Sequence, residues 1–383
     1  MTSEDGLSPD QARPLEVPYL EDLPDLAGRS VLVRATLDLP FAASNAVSPA
    51  AALRSRLLAR TLGWLSQRAA KVTVYGDWSR PGARIDAGHI RRSAAAIRAV
   101  ASNVVLASSG GSVEEPAFVD SLIASHDAFV NDSFQWSYLP LPSLVIPPTR
   151  LPSAAGRSLQ HDLEIASDLL HRPDRPFVAV IGGLDPPVRL HGLHALVLRA
   201  DTLIIGGAMS VPVLQAIGRT AGVPGDDLVE ECRTLMGLAG RVQHRVELPD
   251  DLEVRLADGS SQVVAAHGQL DGPVLDIGPA TAKRYAEILE GAGTVLWSGA
   301  LGEAERAPHD RGTLTVADGL LKHGAGRVVL GGDLLTGLLR RHRRLLPTFD
   351  LLSATDAMLE LLKAGDLPAL AALRTSAPAG VAS

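Results

Sequence analysis

The residues whose type and spacing indicate chemistry most directly are glycines at the ends of apolar runs. Five runs in the second half end in small residues, at 178–183, 203–207, 274–279, 295–299 and 328–333. In a parallel sheet such ends lie at the carboxyl edge, where doubly wound folds bind their ligands. Glycine there lets a ligand approach the backbone and leaves the next helix N-terminus free to face an anion. Five such ends in one sheet predict a nucleotide-sized crevice, whereas a single one indicates a turn.

The elements that carry these ends follow from the hydrophobic pattern. Short apolar runs alternate with longer stretches of helical period, which is typical of an α/β protein with mostly parallel sheets. In the first half we predict strands at 31–34, 72–75, 104–106, 128–130 and 144–146, and helices at 53–68 and 88–100. A second set of strands begins at residue 176.

Domain organisation is read from the segment at 158–170, which has apolar residues at helical spacing and an acidic face. We predict a helix there and place the domain boundary beside it. This gives an N-terminal lobe at 1–165 and a C-terminal lobe at 166–365, and two domains suit a chain of 383 residues. We predict that the tail, 366–383, is first extended and then frayed.

Composition excludes several classes of protein. The net charge of −7 and the 21% of charged residues show no broad basic character that would indicate a nucleic-acid partner. One cysteine, Cys232, excludes a disulfide framework and a zinc ribbon and favours a reducing compartment. The N-terminus is acidic without an apolar run behind it, and no apolar stretch is long enough to span a bilayer. We therefore predict a cytoplasmic protein without membrane or nucleic-acid partners.

Nine segments, in order, resemble those of phosphoglycerate kinase from about residue 31 to residue 373. They are VLVRATLDLP (31–40), WSRPG (78–82), FVNDSF (129–134), RPFVAVIGG (175–183), DTLIIGGAM (201–209), LDIGPAT (275–281), TVLWSGALG (294–302), VVLGGD (328–333) and LELLKAGDLPALAAL (359–373). The resemblance implies two Rossmann-like α/β lobes with parallel sheets, joined by a hinge helix. It also implies that the first lobe binds a phosphorylated acid, the second binds ATP or ADP with Mg2+, and the C-terminal tail returns to the first lobe.

For the second lobe, the resemblance implies a set of nucleotide contacts and one magnesium ligand. The nucleotide contacts are Gly182, Gly183, Gly206, Gly207, Ser298, Glu305, Gly331 and Gly332, and the magnesium ligand is Asp333. An Asp after two glycines is also a common helix cap. The family's loop lysines are replaced by Asp185, which suits a cap or a metal, and by Arg189, which keeps a catalytic charge. Leu334 replaces a phosphate-binding Thr or Ser.

For the first lobe, the resemblance implies substrate binding at Thr36, Asp38, Arg54 and Arg80, with Arg54 also catalytic and Arg56 as the alternative if the register of that motif is shifted. The family's His-Arg-His stretch is replaced by Ser-Tyr-Leu-Pro-Leu at 137–141. Each lost charge-assisted contact is worth about 1.5–3 kcal/mol, so affinity for 3-phosphoglycerate should be lost. Arg54 and Arg80 are also compatible with ordinary surface positions.

Three functions follow from this inventory of cations. The chain has four lysines, Lys71, Lys283, Lys322 and Lys363, and none lies in the loop at 182–189. Because phosphoryl transfer depends on positioning and on cations around the transferring group, we favour a non-catalytic member that binds a nucleotide or a protein partner. The alternatives are a kinase for a different, smaller carboxylic acid and glycolytic phosphoglycerate kinase itself.

Overall fold

The computed structural model describes residues 14–37, 48–77, 87–107, 112–183, 186–221, 226–242 and 244–376. Its contacts divide the chain into two compact units. The first unit contains 1–38, 57–168 and 366–383, and the second contains 39–56 and 169–365. Helices α1 (Pro49–Ser66) and α5 (Arg157–His171) each contribute residues to both units.

A parallel sheet forms the centre of the first unit. Among the described residues its five strands are β1 (Ser30–Ala35), β2 (Lys71–Tyr75), β3 (Val104–Leu106), β4 (Ala128–Asp132) and β5 (Ser153–Ala155), in the order β3-β2-β1-β4-β5. Val31 of β1 pairs with Val72 on one side and with Ala128 on the other. All five residues of β4 are buried, as expected for a parallel strand covered on both faces. The other helices of this unit before α5 are α2 (Ala87–Arg98), α3 (Pro116–Ile123) and α4 (Pro142–Val145).

A second parallel sheet and two smaller sheets form the second unit. Its strands are β6 (Phe177–Ile181), β7 (Thr202–Ile205), β8 (Thr220–Ala221), β9 (Arg245–Glu247), β10 (Asp251–Arg255), β11 (Ser261–Ala265), β12 (Gly268–Gln269), β13 (Val274–Ile277), β14 (Thr294–Ser298), β15 (Arg327–Gly331) and β16 (Asp350–Leu351). In the described part of the chain the main sheet has the order β16-β15-β14-β6-β7-β9, and every neighbouring pair is parallel. Strands β11, β10 and β13 form an antiparallel sheet, and β12 pairs with β8.

The helices of the second unit lie between or after these strands in the chain, except that β9 to β13 follow one another without a helix. They are α6 (Pro186–Arg199), α7 (Ser210–Ala216), α8 (Asp226–Val242), α9 (Pro279–Leu289), α10 (Arg311–His323), α11 (Asp333–Arg341) and α12 (Thr355–Ala364). Trp297, fully buried, packs with Val180, Tyr285, Val316 and Leu330 in one face of the core. The predicted α/β fold, with two lobes built on parallel sheets, is thus confirmed. Among the described residues, no helix is long and apolar enough to cross a membrane.

Two predicted extended segments are helical instead. The strand predicted at 144–146 is wrong, because 142–145 is helix α4 and the fifth strand is β5. Pro142 occupies the first turn, where a helix tolerates a residue without an N–H. The extended start predicted for the tail is also wrong, because α13 (Pro368–Arg374) begins in the same way at Pro368 and packs in the first unit.

One glycine-terminated run belongs to a different sheet from the one predicted. Strand β13 pairs antiparallel with β10, so the run at 274–279 does not extend the main parallel sheet. Only four of the five runs, those of β6, β7, β14 and β15, therefore lie in one sheet. An apolar run followed by glycine has the same appearance in both kinds of sheet, because the partner strand is distant in sequence.

Candidate functional site at the carboxyl edges of the sheets

The ends of three neighbouring strands meet at the carboxyl edge of the second unit's main sheet. Gly182 follows β6, Ser298 ends β14, and Gly331 ends β15. The amide of Gly182 donates to the carbonyl oxygen of Ser298 at 2.9 Å, and the amide of Gly299 donates to that of Gly331 at 3.3 Å. The structure therefore brings together three of the residues for which nucleotide contacts are predicted.

Packing explains why this edge requires glycine. A Cβ on Gly206 would lie 2.6 Å from Leu301 Cδ2, and a Cβ on Gly207, where φ is +59°, would lie 2.7 Å from the carbonyl oxygen of Leu301. A Cβ on Gly182 would collide with the carbonyl oxygen of Ala300. The segment at 299–301 thus demands small neighbours whether or not a ligand binds. The glycines are compatible with a nucleotide site but are not evidence for one.

Two other glycines lie at the same edge. The amide of Gly183 donates to the carbonyl oxygen of Ala300 at 2.8 Å. Gly332 precedes α11 with a φ of +99°, and a Cβ there would meet nothing closer than 3.6 Å. The requirement for glycine at 332 therefore comes from the backbone conformation rather than from crowding.

Glu305, the predicted ribose ligand, is exposed on the connection between β14 and α10. The amide of Glu303 donates to the carbonyl oxygen of Leu275 at 2.8 Å, and the Glu303 carboxylate lies 3.3 Å from Arg255 Nη2. These contacts fix the backbone next to Glu305 and leave its side chain facing solvent. Ser298, in contrast, is fully buried.

Asp276 is a buried carboxyl group to which the sequence analysis assigned no role. Its Oδ2 accepts from the amide of Gly312 at 2.7 Å, at the start of α10, and its Oδ1 accepts from the amide of Ile277 at 2.8 Å. Burial raises the pKa of Asp276 to about 7, and the nearby charges of Glu253 and Asp310 act in the same direction. The sequence signal that could have indicated a role for Asp276 was an acidic residue inside an otherwise apolar strand. The hydrogen bonds indicate that it anchors α10.

Arg54 and Asp333 form an ion pair within the second unit. Arg54 Nη2 lies 3.0 Å from Asp333 Oδ2, and Arg54 Nη1 lies 3.3 Å from Asp333 Oδ1. Ser48 Oγ also donates to Asp333 Oδ1, at 2.7 Å, and Arg54 Nη1 donates to the carbonyl oxygen of Ser353 at 2.9 Å. Asp333 is the first residue of α11, where the helix N-terminus favours a negative charge. Both of its oxygens accept hydrogen bonds from the chain itself.

This arrangement does not fit a magnesium ion at Asp333 as long as Arg54 holds the carboxylate. Magnesium is usually bound through one or two carboxylates together with phosphate and water oxygens. Asp333 offers the right kind of oxygen, but a cation already faces both of its oxygens. Within the described ranges, no three His, Cys, Asp or Glu side chains form a group that could hold a metal ion. Magnesium binding by Asp333 stays a prediction.

Several predicted site residues lie outside what the structure describes. Asp38, Arg80 and Asp185 fall between the described ranges. Arg189 lies in α6, but its side chain is outside the description. Their assigned roles therefore stay predictions.

Thr36, the remaining predicted substrate ligand, follows β1 in the first unit. Its hydroxyl lies 2.8 Å from Ser133 Oγ, beyond the end of β4, and the residue is buried. This contact links the ends of two neighbouring strands. In the described structure Thr36 thus acts as a packing and hydrogen-bonding residue.

Arg34 is a fully buried cation at the same edge. Its Nε donates to Ser143 Oγ at 2.8 Å, and its Nη2 pairs with Asp77 and, at 3.0 Å, with Glu114. The hydroxyl of Tyr75 donates to the carbonyl oxygen of Ser143 at 2.7 Å. The side chains of Asp77 and Glu114 are 29% and 21% exposed. This group of residues therefore presents two carboxylates at the surface against one buried guanidinium.

The four lysines lie on other parts of the structure. Lys71 begins β2, Lys322 is in the last turn of α10, and Lys363 is in the last turn of α12. Lys283 lies in α9 with its side chain 80% exposed, 3.9 Å from Glu287. None of them follows the carboxyl end of β6.

Two α/β units, each built around a parallel sheet, define a two-lobe α/β protein. The sequence profile of the phosphoglycerate kinase family matches residues 103–364. A phosphoglycerate kinase of Salinispora arenicola is 31% identical over 402 aligned residues, which cover 94% of this chain and all of the relative. The chain belongs to the phosphoglycerate kinase family, as the sequence motifs predicted.

Solved structures agree on the fold. Phosphoglycerate kinase from Coxiella burnetii superposes with a TM-score of 0.72 at 21% identity and covers 93% of this chain and 98% of its own. The enzyme from Pyrococcus horikoshii gives a TM-score of 0.73 at 20% identity, with coverages of 94% and 98%. At these identities the likeness establishes the fold alone.

Proposed function

We propose that this phosphoglycerate kinase-like protein does not turn over 3-phosphoglycerate and acts by binding, either of a nucleotide at the carboxyl edge of the second unit or of a protein partner. The proposal includes ATP or ADP as the small-molecule ligand. A cytoplasmic location and the absence of nucleic-acid and membrane partners stay predictions.

The observation that carries the proposal is the pairing of Arg54 with Asp333. A carboxylate acceptor is already ionised near neutral pH, so phosphoryl transfer to it needs cations around the transferring group rather than a general base. Arg54 is the predicted catalytic cation, and both terminal nitrogens of its guanidinium contact Asp333. The cation expected to stabilise the transferring phosphoryl group is thus neutralised by the chain itself.

The lysine inventory supports the same proposal. The loop after β6 has no lysine, and the chain's four lysines lie in β2, α9, α10 and α12. Arg189 keeps one charge, but a guanidinium and an ammonium differ in geometry and are not interchangeable where phosphate is bound. Phosphoryl transfer would therefore lack most of its electrostatic stabilisation.

A kinase for a different carboxylic acid is the second candidate, and the surroundings of Arg34 favour it. Asp77 and Glu114 are partly exposed at the carboxyl edge of the first unit and repel a multiply charged acid. An acid that carries no phosphate would meet less repulsion. Glycolytic phosphoglycerate kinase activity is equally supported by family membership, so an activity assay must separate the three functions.

A coupled assay with 3-phosphoglycerate and Mg-ATP is the test, with an active phosphoglycerate kinase measured in parallel. We expect no turnover above background. Turnover near that of the active enzyme, lost in Arg54→Ala, would overturn the proposal. A panel of carboxylic acids with hydroxylamine trapping tests the second candidate, and acyl hydroxamate formed from any of these acids and lost in Arg54→Ala would favour it.

Binding is measured separately by thermal unfolding with ADP and ATP. A ligand at 100 times its dissociation constant stabilises the folded state by about 2.7 kcal/mol. A shift with nucleotide and no turnover supports the nucleotide-binding form of the proposal. No shift at millimolar nucleotide directs the search to a protein partner.

A further inference from the structure

We propose that Arg54 takes the place of a magnesium ion at Asp333, so that the second unit binds a nucleoside diphosphate without a divalent cation. This inference rests on the nucleotide binding proposed above. It specifies that the ligand binds without a metal ion, and that Arg54 supplies the positive charge beside Asp333.

Arg54 and Asp333 have the geometry of a bidentate ion pair. The two terminal nitrogens of Arg54 face the two oxygens of Asp333 at 3.3 and 3.0 Å, the fork arrangement in which a guanidinium matches a carboxylate. Ser48 Oγ adds a third hydrogen bond, at 2.7 Å to Oδ1. A magnesium ion could reach this carboxylate only after the guanidinium had moved away.

Arg54 is held in place by a further contact and by burial. Its Nη1 also donates to the carbonyl oxygen of Ser353, at 2.9 Å, and the side chain is only 12% exposed. The guanidinium is therefore fixed by contacts to two separate segments, α11 and the turn before α12. A fixed cation costs less to keep beside the carboxylate than a mobile one, because less side-chain entropy is lost on pairing.

The exposure of this ion pair bears on the charge of the ligand that can bind beside it. The Asp333 side chain is 50% exposed, so the pair faces solvent at the start of α11, beside the glycine turns of β6 and β14. With Asp333 neutralised, the edge presents the amide groups of the helix N-terminus to an anion without an opposing free carboxylate. The diphosphate carries less negative charge than the triphosphate, which suits an edge that lacks lysine.

The experiment is a calorimetric titration of the full-length chain with ADP, once in saturating magnesium chloride and once in excess EDTA. We expect the two dissociation constants of the wild-type protein to agree within about twofold, which is well below the tenfold that corresponds to 1.4 kcal/mol. Wild-type affinity about tenfold or more higher with magnesium would overturn the proposal. Absence of ADP binding in both buffers would also overturn it.

Variants of the two residues and a control test whether the charge of Arg54 is what makes ADP binding independent of magnesium. Arg54→Ala frees the Asp333 carboxylate, so ADP should now bind about tenfold tighter with magnesium than with EDTA. Asp333→Asn should leave ADP binding independent of magnesium, and Arg54→Gln, which also removes the guanidinium charge, should show the same magnesium dependence if Arg54→Ala does not fold. Arg60→Ala, a change at an exposed arginine of the same helix, should behave as the wild type. A magnesium-independent Arg54→Ala variant would contradict the assigned substitution.

The titrations and the coupled assay test different claims, so either proposal can be refuted while the other stands. Turnover of 3-phosphoglycerate would refute the proposed lack of catalysis and leave the magnesium question to the two dissociation constants. Conversely, magnesium-dependent ADP binding without turnover would refute the substitution by Arg54 and leave the non-catalytic function in place.

Discussion

At the scale of single residues, one arginine at the edge of each described main sheet is paired with carboxylates of the chain. Arg34 in the first unit faces Asp77 and Glu114, and Arg54 in the second faces Asp333. The two ion pairs differ in exposure, because Arg34 is fully buried, whereas the Asp333 side chain that pairs with Arg54 is half-exposed. Arg34 is therefore expected to matter for stability, and Arg54 for the ligand that the edge accepts.

Replacing Arg34 by Met should destabilise the first unit by about 3 kcal/mol or more, because two carboxylates would lose their buried partner. Chemical denaturation of the two proteins measures this difference. The matched control is Arg150→Ala, which breaks an ion pair with Asp120 whose two side chains are about half-exposed. Such exposed pairs contribute about 1 kcal/mol or less. Equal losses of unfolding free energy in the two variants would contradict the larger contribution expected from the buried Arg34.

At the scale of secondary structure elements, the predictions that were wrong and those that were confirmed lie at prolines and glycines, respectively. Both segments predicted as extended and found helical, α4 and α13, begin with proline in the first turn. An apolar run of four residues fits a strand or a short helix equally well, and proline at its start was the signal that should have favoured helix. The glycine turns, in contrast, were located correctly from sequence.

Replacing Gly182 by Ala should destabilise the second unit by about 1–3 kcal/mol, because the new Cβ would collide with the carbonyl oxygen of Ala300. Thermal and chemical unfolding in the absence of nucleotide are the appropriate measurements, since the loss should not depend on a ligand. The control is Gly237→Ala in α8, where nothing lies within 4 Å of the added Cβ. This helical substitution should stabilise by up to about 1 kcal/mol. A neutral Gly182→Ala variant would mean that the glycine turn is not closely packed.

At the scale of the whole molecule, the described part of each unit contains a buried carboxyl group with a raised pKa. Asp132 in the first unit accepts hydrogen bonds from Thr61 Oγ1 and from the amide of Ser158, both at 2.9 Å. Its burial raises its pKa to about 7, as it does for Asp276 in the second unit. In both cases the folded state binds a proton that the unfolded state has already released above its ordinary carboxyl pKa of about 4.

The free energy of unfolding should therefore fall as the pH rises from about 4 to about 7, by at most about 1.4 kcal/mol per pH unit for each group. The stabilising contribution of each group is fully present below the ordinary carboxyl pKa and is lost as the pH passes about 7. Denaturation at a series of pH values measures this slope. Asp132→Asn and Asp276→Asn should each remove part of it, whereas Asp120→Asn, at an exposed position, should not. A slope that persists unchanged in the double variant would contradict the assignment.

The amino-acid sequence by itself determined the family, the two α/β lobes and the positions of the glycine turns. These properties rest on local patterns, namely apolar periodicity, proline and glycine placement, and the order of short motifs. Tertiary structure decided that β13 belongs to a separate antiparallel sheet, that Leu301 and Ala300 require the glycines around them, and that Arg54 faces Asp333. Arg54 and Asp333 are 279 positions apart, so no local pattern could indicate that the predicted catalytic cation and the predicted metal ligand neutralise each other. Pairing, crowding and charge compensation depend on which distant segments meet, and only the folded chain brings those segments together.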